Sequence, residues 1–138
     1  MTRVLGIDYG DRRIGLALSD ELGLTAQPLR PITTDAGHLD ELVTLCQERS
    51  VERVVVGLPL SMDGSVGTRA RVTLEFANAL RAKLDIPVET WDERLTTRQA
   101  ERSLWGRGLS HKRRRARRDT VAAQLILQSY LDAHRARA

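Results

Sequence analysis

The sequence predicts an α/β fold, a mixed five-stranded sheet flanked by helices. Three features predict it. The first thirty residues read as extended segments joined like a hairpin. After residue 37 the hydrophobic period changes from two to that of a helix. The run Val54-Val55-Val56 is apolar on both faces, as in strands buried inside a parallel sheet.

The elements follow in order. Val4–Asp8 is a short apolar strand that runs into Tyr9-Gly10-Asp11, a turn composition. In Arg13–Ser19, Ile14, Leu16 and Leu18 alternate with Gly15, Ala17 and Ser19, the pattern of a half-buried strand. Thr25–Ile32 is extended, and Pro28 and Pro31 push it to a sheet edge. Leu39, Leu42, Val43, Leu45 and Cys46 recur at helical spacing over 37–49. The valine strand ends at Gly57-Leu58-Pro59, and 60–67 is a Gly/Ser-rich loop. Ala70, Leu74, Ala77, Leu80 and Leu84 mark a second helix, stopped before Pro87. Val88–Trp91 is the last strand. Thr96 and Gln99 have capping-box spacing and open a third helix, ended by Gly106 and Gly108. A basic segment follows, and a final helix carrying Val121, Ala122, Leu125 and Tyr130 starts at about Asp119.

With 138 residues and neither repeat nor linker, the chain reads as one domain, 1–138. Hydrophobic residues make up 41% and charged residues 29%, a globular composition. Apolar runs are strand-sized, so no membrane segment is expected, and Asp8 interrupts the N-terminal run too early for a signal peptide. The lone Cys46 excludes an internal disulfide and fits a cytoplasmic location; on a helix stripe it reads as a core thiol.

Charge is polarised. Residues 98–118 carry nine cations against Glu101, +8 in a chain whose net charge is +4, so the remainder is −4. Lys112, Arg113, Arg114, Arg115, Arg117 and Arg118 crowd into seven positions. Such a focus attracts a polyanion, and the planar guanidinium fork suits phosphate. These six are the candidate nucleic-acid-binding residues; the plainer alternative is a solvated loop.

Three acids stand at element ends: Asp8 at the tip of the first strand, Glu93 after the last, and Asp119 at the head of the final helix. Sites in open α/β sheets gather at the carboxyl ends of strands. Carboxylates there suit hard divalent cations, Mg²⁺ or Mn²⁺, which activate water and stabilise a leaving oxygen in phosphodiester hydrolysis. His38, His111 and His134 are too scattered for a zinc site. Each acid also has a plainer role: turn residue for Asp8, partner of Arg94 or Arg98 for Glu93, helix cap for Asp119. Glu93 follows a strand that lies two places from that of Asp8, an offset of ~10 Å, so the chain must bend inward. Asp92 and Asp63 are the reserve acids.

Four blocks, in order over nearly the whole chain, resemble the YqgF/RuvX family of ribonuclease H-like nucleases. They are Gly6-Ile7-Asp8-Tyr9-Gly10 with Ile14-Gly15-Leu16-Ala17, Val55 to Ser65, Asp92 to Thr97, and Asp119 to Ala123 leading to Ile126 through Leu131. The resemblance implies a ribonuclease H-like fold, with Asp8, Glu93 and Asp119 as the catalytic, metal-binding set. It implies processing of the 5′ end of pre-16S ribosomal RNA in ribosome biogenesis, or alternatively Holliday-junction resolution on branched DNA. Ser61 stands where the family often has Asn, and the Arg run is richer than the family pattern. Of the rivals, an actin-like ATP-binding enzyme needs two lobes, and one domain does not supply them. A non-catalytic RNA-binding assembly factor would need neither metal nor Asp8. Monomer and homodimer both remain open.

Overall fold

The computed structural model describes residues 3–96 and 111–135, with side chains up to residue 96 and from 121 to 134. The elements are β1 (Val4–Tyr9), β2 (Arg13–Ser19), β3 (Ala26–Thr33), α1 (His38–Glu48), β4 (Arg53–Leu58), α2 (Thr68–Lys83), β5 (Val88–Asp92), a 3₁₀ turn (Glu93–Leu95) and α3 (His111–Arg135). They form the expected mixed sheet of five strands, in the order β3-β2-β1-β4-β5. β1 is antiparallel to β2 and parallel to β4, and β4 is parallel to β5. The carboxyl ends of β1, β4 and β5 therefore share one rim.

Strand alternation divides the core into two layers. Leu5, Ile7, Ile14, Leu16, Val54 and Val56 face one side, with Leu42 and Cys46 of α1 and Phe76, Ala77 and Leu80 of α2. Burial lifts the Cys46 thiol to about 11, so it packs as an apolar group and is no nucleophile near neutrality. Val4, Ala17, Ala26 and Val55 face the other side, under Ala123, Ile126, Leu127 and Tyr130 of α3. β4 is buried on both faces, which explains its unbroken valines.

The approach of α3 depends on Gly6. A Cβ built there would lie 2.7 Å from Leu127 Cβ and 3.3 Å from the Ala123 carbonyl oxygen. Two glutamines tie α3 to the start of the edge strand: Gln128 accepts from the Ala26 N–H at 2.9 Å, and Gln124 donates to the Ala26 carbonyl at 3.1 Å. Tyr130 hydrogen-bonds Glu89 near the beginnings of β4 and β5. α3 thus runs antiparallel to β1, its earlier turns directed toward the rim.

One boundary differs from expectation. The final helix begins at His111, eight residues before Asp119, so 112–118 are helical and Asp119 is not an N-cap. Arg and Lys are good helix formers, and that propensity overrides the cap signal of an Asp before apolar residues. β4 ends at Leu58, within the Gly57-Leu58-Pro59 stop expected from the sequence. The helix expected to open at Thr96 lies outside the described residues, apart from Thr96 itself.

Candidate active site

Asp8 is the fifth residue of β1, two positions beyond Gly6 and on the same face, half-buried at the rim. Its predecessor Ile7 is fully buried and pairs with Val56, which sets Gly57 beside Asp8 in the next strand. Gly57 in turn pairs with Trp91 of β5. β5 does lie two strands from β1, so the lateral offset expected from the sequence is real.

Two features close it. After Asp92 the chain turns into the 3₁₀ element, and the Glu93 side chain then passes over Gly57. A Cβ on Gly57 would stand 3.0 Å from both Glu93 Cγ and Glu93 Oε1, and closer still to Ile126 Cδ1. The missing side chain leaves the passage through which Glu93 reaches Asp8. Gly57→Ala is therefore expected to displace Glu93 and to cost about 1–3 kcal/mol by overpacking Ile126. A thermal melt should show the lower Tm, and single-turnover cleavage should fall as well.

The turn is fastened from both sides. The Asp92 carboxylate accepts from the Arg94 backbone N–H at 3.0 Å and from Arg94 Nη2 at 2.7 Å. Arg94 Nη1 donates to the Met62 carbonyl at 3.2 Å, which ties loop 60–67 to the turn. The Thr96 hydroxyl donates to the Glu93 carbonyl at 3.0 Å.

Asp8 and Glu93 form a hydrogen-bonded pair of acids. Burial above all, then the charge of Asp8 and the hydrogen bond to it, push the Glu93 carboxyl up to about 7. The two carboxyls therefore titrate as a coupled pair. Arg69 pulls Glu93 the other way. This cation went unmarked in the sequence. It stands in the first turn of α2, and its guanidinium donates to the Tyr9 carbonyl at 2.7 Å and to Asp11 at 2.7 Å.

The reserve acids are engaged elsewhere. The hydrogen bond from Arg94 holds Asp92 below the usual carboxylate range. Asp63 is held low by its hydrogen bonds from Ser65, whose backbone N–H donates at 2.9 Å. Neither is brought to Asp8. Of the expected acids the structure thus joins two. The Asp119 side chain lies outside the described residues, as do those of Lys112, Arg113, Arg114, Arg115, Arg117 and Arg118. Their backbone is the start of α3.

Position 119 is helical. It is one turn before Ala123, on the stripe that continues to Leu127. Ala123 and Leu127 lie over Gly6.

Among the described residues no group of three or more His, Cys, Asp or Glu gathers as a metal cluster. The donor chemistry of the two joined acids still fits a hard divalent ion. Both offer oxygen, and the charge of Asp8 that disfavours ionised Glu93 is one that a cation would neutralise.

The model of one family, RuvX, described as Holliday junction resolvase, matches residues 2–133. A protein of Halothermothrix orenii named "Putative pre-16S rRNA nuclease" is 48% identical over 132 residues, 94% of each chain. One of Myxococcus xanthus with the same name is 49% identical over 135 residues, covering 96% of this chain and 89% of its own. Among solved structures, Thermus thermophilus RuvC in complex with a Holliday junction substrate superposes with a TM-score of 0.60 at 18% identity, over 100% of this chain and 98% of that one. The fowlpox virus Holliday junction resolvase gives 0.55 at 9% identity, over 96% and 99%. At such identities these two show a shared fold, that of the ribonuclease H-like resolvases.

Proposed function

The chain belongs to the RuvX family and is a nuclease, and from that premise we propose that it is a metal-dependent endonuclease acting on structured RNA, cutting at the 5′ end of pre-16S rRNA. The observation that carries the reading is the meeting of Asp8 and Glu93 over Gly57 at the carboxyl rim. With Asp119 they make a set of three acids, the ligands and catalytic residues we assign. The choice of RNA rests on relatives at 44–49% identity that share the pre-16S rRNA name. Holliday-junction cleavage is the second reading, favoured by the family description.

Asp8 is fixed by the β1 ladder, and Glu93 by the turn clamped between Asp92, Arg94 and Thr96. Such anchoring lets a site act without reorganising as charge develops on the phosphate. Mg²⁺ or Mn²⁺, when bound to these carboxylates, supplies an activated water and relief of charge at the leaving oxygen. Glu93 must first release its proton, so metal affinity should increase with pH through about 7.

The helical course of 111–118 bears on substrate binding. Cations at 113 and 117, and at 114 and 118, are one turn apart, and like charges at that spacing repel. Cations in the first turns of a helix also oppose its dipole. A polyanion relieves both penalties, and this start of α3 leads directly to Asp119. Replacing Arg113, Arg114 and Arg115 by Gln should weaken RNA binding. It should also lower the slope of log K against log salt by about 0.7–0.9 for each phosphate that is no longer neutralised. An unchanged slope would mean that these cations face only solvent.

The central experiment incubates the protein with a pre-16S rRNA fragment spanning the mature 5′ end, a four-way DNA junction and plain duplexes, each with Mn²⁺ or EDTA. A defined cut in the RNA, lost in EDTA, is the expected result. Junction cleavage alone would transfer the assignment to the second reading. Metal-independent binding with no cut anywhere would make the chain an assembly factor. Among the described residues no helix is long and apolar enough to cross a membrane. We assign the enzyme to the cytoplasm, as one nuclease domain over 1–138.

A further inference from the structure

We propose that Arg69 is a phosphate-binding residue of the active site, and that the Asp11 carboxylate occupies its phosphate position while substrate is absent. The proposal rests on the nuclease reading above and adds to it a residue that contacts the scissile strand.

Arg69 comes from α2, on the side of the sheet opposite α3, and reaches around the end of β1. Its Nη2 donates to the carbonyl of Tyr9, the residue directly after Asp8, at 2.7 Å. That bond holds the guanidinium at the rim. The charge of Arg69 is felt at Glu93, which it draws toward the ionised form. The group therefore stands near Glu93 and is bonded to the residue that follows Asp8.

Its other anchor differs in kind. Nη1 meets Asp11 Oδ1 at 2.7 Å, but Asp11 is 83% exposed and Arg69 itself 43%. An ion pair so open to water has little net worth, so the exchange of Asp11 for another oxyanion costs little. The guanidinium also has more N–H donors than these two bonds use, in a planar fork that fits phosphate oxygens. Asp11 sits in the turn between β1 and β2, beside the rim where the scissile strand must pass to reach Asp8. A carboxylate held there presents to Arg69 what a phosphodiester would present: anionic oxygen at hydrogen-bond distance. On this proposal the Arg69–Asp11 pair is an internal stand-in for the contact with substrate phosphate.

A competitor and a structural prop make opposite predictions. If Asp11 competes with phosphate, Asp11→Asn should tighten binding of an RNA hairpin carrying a single-stranded 5′ extension by about threefold or more. If Asp11 only props Arg69, the same change should weaken it. Arg69→Gln should weaken binding about tenfold and flatten the salt slope by about 0.7–0.9, the worth of one neutralised phosphate. In the double variant the gain from Asp11→Asn should vanish. Binding is measured in EDTA by titration at several salt concentrations, with circular dichroism melts to confirm folding. Arg69→Lys, which keeps charge but loses the fork, should recover the salt slope and only part of the affinity. Unaltered affinity and slope in Arg69→Gln, or weaker binding in Asp11→Asn, overturns the proposal. Failure of the nuclease reading is seen separately, as absence of cleavage by the unmodified protein.

Discussion

Asp8→Asn should abolish metal-dependent cleavage, by about 10³-fold or more, and at the same time make the metal-free protein more stable above neutral pH. The first effect follows from the place of Asp8 on the rim and the several kcal/mol that cation-assisted charge stabilisation supplies. The second follows from Glu93. Its carboxyl titrates at about 7 in the fold against 4.5 ordinarily. Between those values the native protein retains a proton that the unfolded chain has released. Stability therefore declines as pH rises from about 4.5 through 7 and levels off above. Part of that loss is repulsion by Asp8. The Asn variant removes it and should gain on the order of 1 kcal/mol at pH 8 in EDTA. Adding Mn²⁺ should raise the Tm of the parent protein more at pH 8 than at pH 6, and should barely move that of the variant. Melts at both pH values, with and without Mn²⁺, read all of this together with single-turnover rates. A variant that cleaves at the parent rate removes Asp8 from the site. A variant that is less stable at pH 8 contradicts the charge conflict.

Those paired effects depend on a meeting of residues eighty-five positions apart, and the sequence shows only half of it. An acid directly after a buried Ile7 is a local signal, because an ionised carboxylate at such a place needs a cation. The sheet itself was legible in the same local way, from alternation in β2, prolines in β3 and valines in β4. The path of Glu93 was not. It requires Gly57 to stand in register between Asp8 and Trp91, and register across parallel strands has no local signature. A glycine within a strand does signal close approach by something, but not by what. Arg69 was invisible for a similar reason, since its importance lies in the carbonyl of Tyr9, sixty residues earlier. The start of α3 failed differently. Asp119 before an apolar run satisfies the cap pattern, and that pattern places the helix start after the Arg run. The helix continues through it to His111.

That misread boundary sharpens the test of Asp119. As an N-cap, Asp119 would have had a sufficient structural role, and Asn would fill it almost as well. At the ninth position of α3 it caps nothing. Mid-helix Asp is a mediocre helix former, and Asn ranks close to it. The change to Asn is thus nearly silent in propensity, within a few tenths of a kcal/mol. The stripe Leu127–Ala123 lies against Gly6, and position 119 is one helical turn before it. The assignment of Asp119 as a metal ligand makes it a third oxygen donor beside the pair. Its charge would also add to the repulsion that a divalent ion relieves. Asp119→Asn should therefore melt within about 2 °C of the parent, since a few tenths of a kcal/mol moves Tm little in a domain of this size. It should nevertheless lose cleavage by about 10²-fold or more and need a higher Mn²⁺ concentration for half-maximal rate. The metal titration matters because a purely helical role would leave that midpoint where it was. Partial recovery with Asp119→Glu, which keeps the carboxylate on a longer arm, would mark the residue as a ligand. If Asp119→Asn is stable, fully active and unchanged in its metal midpoint, the site is the pair Asp8–Glu93 without it. The basic turns of α3 would then bind substrate at a distance from the chemistry.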